Sequence, residues 1–353
     1  MTTPLSYPNP DPDTTASAVD IGPGSSDADL KKVTAEVPSV QAAPLAVPGY
    51  TVLGRLGRGG MAEVHLAEKI GTAGVPVRCV LKTILPEHSA REGFQGRFLD
   101  EARIISQLRH PNIVSTVDVG VTDDKLYLAM EWVDGTDVAQ LMMSCQKRQQ
   151  EIPLRHILFI LREALKGLHY AHTAPGEDGE PLRIIHRDIS PGNLLISRQG
   201  AVKLADFGVA LGTPADRPGK KVRLAGKVHY FAPDLFRGDR QATPATDLFS
   251  MGICFYEMLT LRPMFSRKLK LYQLKDRLLR FEARSLLENE LTVPDGLEEI
   301  LLRALAAKPE DRYASALEFL EDVNDYVYEV GIRLLDAHFA KWIGDQLGAA
   351  ERA

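Results

Sequence analysis

Cysteine is scarce in this chain: three in 353 residues, Cys79, Cys145 and Cys254, far apart and in apolar surroundings. That excludes a disulfide framework and any regularly spaced thiolate metal site, and it predicts reduced core residues. Long apolar runs are lacking too. None approaches the roughly 18 residues a membrane-spanning helix needs, and no secretory leader is expected; the chain reads as cytoplasmic. Charge of one sign is also missing. Forty-two basic against 47 acidic residues leave a net charge of −5 at pH 7, which gives no case for a nucleic-acid partner or a membrane surface. No internal repeat is evident.

Aromatics are nearly absent from residues 1–48, where eight of the 22 prolines stand among Ser, Thr, Asp and Ala. Such a composition cannot bury enough apolar surface to offset its ordering entropy, so it predicts a disordered tail. The tail is either passive or a site of phosphorylation and partner contact. From Pro48 to about Asp134 the pattern is strand-rich with one amphipathic helix. From Val138 to about Tyr328 it is mainly helical, with a turn-rich insertion at Gly176-Glu177-Asp178-Gly179. Beyond Gly331, the residues Ile332, Leu335, Phe339, Trp342 and Leu347 recur at helical spacing, predicting a C-terminal helix that docks on the helical half.

The most specific feature is Ile185-His186-Arg187-Asp188-Ile189-Ser190-Pro191-Gly192-Asn193, followed by Asp206-Phe207-Gly208. A carboxylate, an amide five residues later and a second carboxylate thirteen beyond that can orient a hydroxyl and hold a divalent cation against phosphates. At these residues the chain resembles the eukaryotic-like (Hanks-type) protein kinases. The resemblance implies an α+β, two-lobed fold, with a strand-rich N-lobe at about 49–134, a C-lobe at about 135–330 and a helical extension at 331–353. It also implies ATP with Mg²⁺ (or Mn²⁺), Asp188 as base, and Asn193 and Asp206 on the metal.

Upstream, Leu56-Gly57-Arg58-Gly59-Gly60-Met61-Ala62-Glu63-Val64 fits a phosphate-covering loop. Taken alone it is equally a hairpin turn or a poor dinucleotide fingerprint, but the strand pattern continuing through Leu66 disfavours the latter. Ala62 stands at the usual third glycine, which predicts a stiffer loop tip. Lys82, on the apolar strand Val77–Ile84, matches the family's phosphate-binding lysine. Its expected partner is Glu101, preferred to Asp100, which points about 100° away round the helix. On that helix Phe98, Ile105 and Leu108 are expected to share one apolar face. The resemblance makes Met130 the residue at the back of the adenine site, with Glu131 and Val133 reading adenine by backbone and Leu56, Gly57, Gly59, Gly60 and Val64 covering the nucleotide. Downstream it pairs Asp234 with Arg312, the shorter Asp loosening the bridge, and places Asp247 under the catalytic loop.

Two departures fall at the chemistry. Ser/Thr kinases carry Lys two residues past the catalytic Asp, where this chain has Ser190; they carry Thr after the Gly of the segment before Tyr230, where this chain has Lys227. The pair looks exchanged in place. Lys227 either replaces the missing cation or is a solvated charge in the substrate groove. Between Leu211 and His229 the only hydroxyl is Thr213, among Arg217, Lys220, Lys221, Arg223 and Lys227; such a loop is simply solvated, or it recruits an acidic substrate or a regulatory partner. The leading expectation is phosphoryl transfer to Ser/Thr hydroxyls of proteins. A nucleotide-binding scaffold without transfer is the alternative, and a small-molecule phosphotransferase is disfavoured by the segment through Asp234.

Overall fold

The computed structural model describes residues 47–351 apart from 72–73, 90–92, 123–124, 177–178, 208–226, 238–241, 284–293 and 295. Residues 1–46 of the tail expected at 1–48, Thr213, Arg217, Lys220, Lys221 and Arg223, and Glu177 and Asp178 of the insertion lie outside the described residues, whereas Val47, expected in that tail, is buried against the sheet.

Strands β1 (Tyr50–Arg58), β2 (Ala62–Ile70), β3 (Pro76–Ile84), β4 (Thr116–Thr122) and β5 (Lys125–Glu131) form one antiparallel sheet in the order β1-β2-β3-β5-β4. A one-turn helix α1 (Pro86–Ser89) and the longer α2 (Phe94–Ile105) follow β3. Cys79 and Leu81 of β3 pack with Ala67, Ala129 and Val47 on one face of the sheet. Ile84 packs with Leu126 and Leu128 on the other face, against Phe94, Phe98 and Ala102 of α2. Side chains alternate along a strand, so Lys82 shares the α2 face. The buried stripe of α2 is therefore not the expected one. Ile105 only borders it, and Leu108 lies past the helix end, in the core of the other lobe.

Residues 132–134 lead into the helical lobe. Strand β6 (Gly135–Asp137) runs into α3 (Val138–Lys147), whose N-terminus Asp137 caps by accepting the Gln140 N–H at 2.9 Å. Helix α4 (Leu154–Thr173) forms the core of this lobe. After it, β7 (Leu194–Ser197) and β8 (Val202–Leu204) pair with β6 in the order β6-β7-β8. Only glycine fits at position 135, where a Cβ would come within 1.9 Å of the Ile196 carbonyl oxygen. Helices α5 (Pro244–Thr260), α6 (Leu271–Leu279), α7 (Leu297–Ala304), α8 (Ala316–Glu329) and α9 (Asp336–Glu351) complete the described fold. A Thr243/Thr246 capping box and Pro244 in the first turn start α5. The product is α+β and two-lobed, a strand-rich small lobe on a helical large one.

Helix α9 packs on α4. The Phe339 ring lies 4.3 Å from Phe159, and Trp342 stacks on His156 at 4.4 Å. Ala340 closes over the β7–β8 turn, within 2.9 Å of where a Cβ on Gly200 would stand.

Candidate active site

The loop from Ile185 to Asn193 is held from below by one carboxylate. Asp247, buried in the first turn of α5, accepts the Arg187 N–H at 2.9 Å, the His186 N–H at 2.8 Å and His172 Nε2 at 2.9 Å. Arg187 and Asp206 sit in the left-handed region at φ 67° and 60°. Non-glycine residues there carry about 1–3 kcal/mol of strain each and persist only where the surroundings over-determine them. His186 is fully buried. Its Nε2 faces the Ala205 carbonyl at 3.0 Å and its Nδ1 the Asp188 N–H at 3.3 Å, so the network assigns a neutral ring protonated at Nε2. Burial pushes its pKa below the usual histidine value, in agreement, and Phe207 lies 4.3 Å away.

Above this base the residues expected to carry chemistry come together. Asn193 Nδ2 donates to the Asp188 carboxylate at 2.9 Å and to the Asp188 carbonyl at 2.7 Å, fixing the aspartate beneath the cleft. Lys82 Nζ donates to Asp206 Oδ1 at 2.8 Å. Burial alone would push the Asp206 carboxyl up, but Lys82, helped by Lys227, holds it below the ordinary carboxylate range. Lys82, Met130, Leu128, Val114, Asp206 and Phe207 line one cavity between the lobes. Val64 pairs with Lys82 across β2 and β3, and the Gly59 N–H closes the loop by donating to the Ala62 carbonyl at 2.9 Å. Leu56 and Gly57 end β1, Gly60 lies in the turn, and Glu131 and Val133 stand where β5 leaves the sheet. Lys227 Nζ donates to Ser190 Oγ at 2.8 Å and to Asn193 Oδ1 at 3.3 Å.

Three expectations need correction. Glu101 does not hold Lys82. Its carboxylate faces Arg187 at 3.8 Å, its Oε2 is buried without a partner, and Lys82 is given to Asp206 instead. Burial pushes Glu101 up to about 7, opposed by Arg187 and Arg97. Ala62 is not at the loop tip: it opens β2 and buries its methyl among Ile84, Phe94 and Phe98. The Asp234–Arg312 bridge is not loosened by the shorter acid. It closes at 2.7 Å, sealed from solvent, because the short turn Pro233–Phe236 carries the aspartate in, while Arg312 also donates to the carbonyls of Ala306 and Ala245.

A protein kinase domain model matches residues 50–323. The chain belongs to the protein kinase family. Among curated relatives, the tyrosine-protein kinase MasK of Myxococcus xanthus is 37% identical over 280 residues, covering 79% of this chain and 43% of that protein. The serine/threonine-protein kinase PrkC of Bacillus subtilis is 31% identical over 274 residues, covering 78% and 40%. The chain thus spans about two-fifths of the length of these relatives. Among solved structures, the kinase domain of Mycobacterium tuberculosis PknI is similar at a TM-score of 0.57 and 28% identity, covering 81% of this chain and 99% of that one.

Some residues that support the kinase site escape a reading of the sequence. His172 props Asp247, and its signal is a lone imidazole on the buried stripe of α4. Tyr230 donates its hydroxyl to Glu257 Oε2 at 2.8 Å, Arg267 reaches both, and Ser250 Oγ donates to the Tyr230 carbonyl at 2.7 Å. Burial raises the Glu257 pKa against the pull of Arg267 and Tyr230. Glu257, the one charged residue in the run Leu248–Leu259, is the available clue to that cluster.

Proposed function

We propose that the chain transfers the γ-phosphoryl group of ATP to Ser and Thr hydroxyls of protein substrates in the cytoplasm. What supports this is the convergence of Asp188, Asn193, Asp206 and Lys82 on one cleft, with Asp188 steered by Asn193 at 2.9 Å. Asn193 Oδ1 and the Asp206 carboxylate are hard oxygen donors, too few to cage an ion alone, which suits Mg²⁺ (or Mn²⁺) completed by phosphate oxygens. Such a metal, when bound, neutralises charge on the phosphates. Lys82 donates to the α- and β-phosphates once nucleotide takes it from Asp206, and Glu101 is the carboxylate that can then follow it. Asp188 orients the acceptor hydroxyl and takes its proton as the oxygen attacks. Among the described residues no helix is long and apolar enough to cross a membrane.

Asp188→Asn tests this reading. Transfer from γ-labelled ATP to mixed casein and histone should fall by about 100-fold or more, with nucleotide affinity within a factor of about three. Phosphoamino-acid analysis of the wild-type product should give phosphoserine and phosphothreonine. Normal transfer by Asp188→Asn would remove the base assignment, and phosphotyrosine alone would move the acceptor to the residue named for the Myxococcus relative.

A further inference from the structure

We propose that Lys227 and Ser190 form a reciprocal catalytic pair: the cation that meets the transferring phosphoryl group comes from the segment before Tyr230, and the catalytic loop supplies the hydroxyl that seats it. This rests on the kinase reading above and deepens it.

The cation is placed for that role. Lys227 Nζ bonds Ser190 Oγ at 2.8 Å and Asn193 Oδ1 at 3.3 Å. Asn193 in turn grips Asp188 Oδ2 at 2.9 Å, so the ammonium stands one side chain away from the base. It lies over the turn Pro191–Asn193, where a Cβ on Gly192 would come within 3.0 Å of Nζ. Ser190 and Asn193 engage two of the three ammonium protons; when Asn193 Oδ1 turns to a metal, Ser190 keeps the ammonium seated and its other protons are offered to phosphoryl oxygens. Among the described residues the other nearby cations have different tasks: Lys82 pairs with Asp206 and is assigned to the α- and β-phosphates, Arg187 faces Glu101 and Lys203 bonds Glu131.

The backbone at Lys227 is anchored as well as the ammonium. The Tyr230 N–H donates to the Lys227 carbonyl at 2.9 Å. Tyr230 is itself locked to α5 through Glu257 and Ser250. A lysine so held is pre-organised for charge that grows during reaction, which is where such a donor has its largest effect. In the step, the acceptor oxygen bonds to the γ-phosphorus and its proton passes to Asp188. The bond from phosphorus to the bridging oxygen breaks, with its electron pair leaving on ADP. Lys227 donates hydrogen bonds to oxygens of the moving phosphoryl group and takes no part in the proton transfer.

The test is a double-mutant cycle on the full chain: wild type, Lys227→Thr, Ser190→Lys and the double variant. Each is assayed for kcat and KM with γ-labelled ATP and casein–histone substrate, for ADP affinity by calorimetry, and for Tm. Lys227→Thr should lower kcat about 100-fold with ADP affinity unchanged. Adding Ser190→Lys to it should restore kcat to within about tenfold of wild type, because the ammonium returns from the other side. If Lys227→Thr melts early, Lys227→Met and Lys227→Arg carry the same comparison, with Arg expected to retain more activity than Met. A kcat for Lys227→Thr or Lys227→Met within about threefold of wild type overturns the pair, as does a double variant no better than Lys227→Thr. A wild type that transfers nothing overturns the kinase reading itself, and this inference with it.

Discussion

The two sides of the cleft are held in different ways. On the large-lobe side, Asp247 satisfies three donors in a dry interior, and Asp234 and Arg312 are sealed against each other. Across the cleft to the small lobe, Lys82 reaches Asp206, whose side chain is 36% open, and Glu101 faces Arg187 at 3.8 Å with one oxygen unpaired. A carboxylate whose donors are fixed in a dry interior has a single arrangement. Groups that reach water, or sit half-bonded, can be re-paired at little cost. The large lobe is therefore a fixed platform, and the ion pairs that cross the cleft are the part that nucleotide can rearrange.

The strongest way to break that contrast is Asp247→Ala. It orphans the buried His186 and Arg187 N–H groups and frees the His172 ring, so unfolding in urea should show a loss of about 3–5 kcal/mol. A loss under about 1 kcal/mol would mean the platform is not fixed by this residue. Lys82→Met should behave oppositely. Asp206 then recovers solvation through the cleft, and stability should change by no more than about 1 kcal/mol, while ATP affinity measured by calorimetry falls about tenfold or more. Unfolding comparable to that of Asp247→Ala would erase the difference between the two sides.

Glu101→Gln gives the smallest and most diagnostic effect. The carboxyl is raised by burial to about 7, so the observed arrangement favours the protonated acid. That stabilisation is complete below the unfolded carboxyl range near 4.5 and is lost as pH rises through about 7. The Tm of Glu101→Gln minus that of wild type should therefore grow between pH 5 and pH 8 in the absence of nucleotide. A flat difference would show that Glu101 is already fully paired, with Lys82 or with Arg187.

Much of this was legible because chemistry fixes residue types. The loop carrying Asp188 and Asn193, and the bridge between Asp234 and Arg312, could be read from identity and spacing. The odd exchange of Ser190 and Lys227 pointed to a contact that the structure forms at 2.8 Å. What could not be read depends on how elements are set against each other. Whether Lys82 pairs with Glu101 or Asp206 depends on where α2 and the segment after β8 stand relative to β3, and no local pattern encodes that. Ala62 escapes a motif reading because its motif position falls in a loop, whereas the strand and its packing against Phe94 begin there. The cluster of Tyr230, Glu257 and Arg267 joins three separate segments, and only the folded chain makes them neighbours.

Helix α9 has a practical consequence for anyone expressing this protein in pieces. The family match stops at residue 323, inside α8, whereas Phe339, Ile343 and Leu347 are buried beyond it. A fragment cut at the family boundary would sever α8 and strip the cover from His156, Phe159 and the Gly200 turn. It would carry a sticky apolar stripe along α4 and come out of the cell in aggregates. The shortest well-behaved fragment has to run through α9, because here the unit that folds is longer than the unit that defines the family.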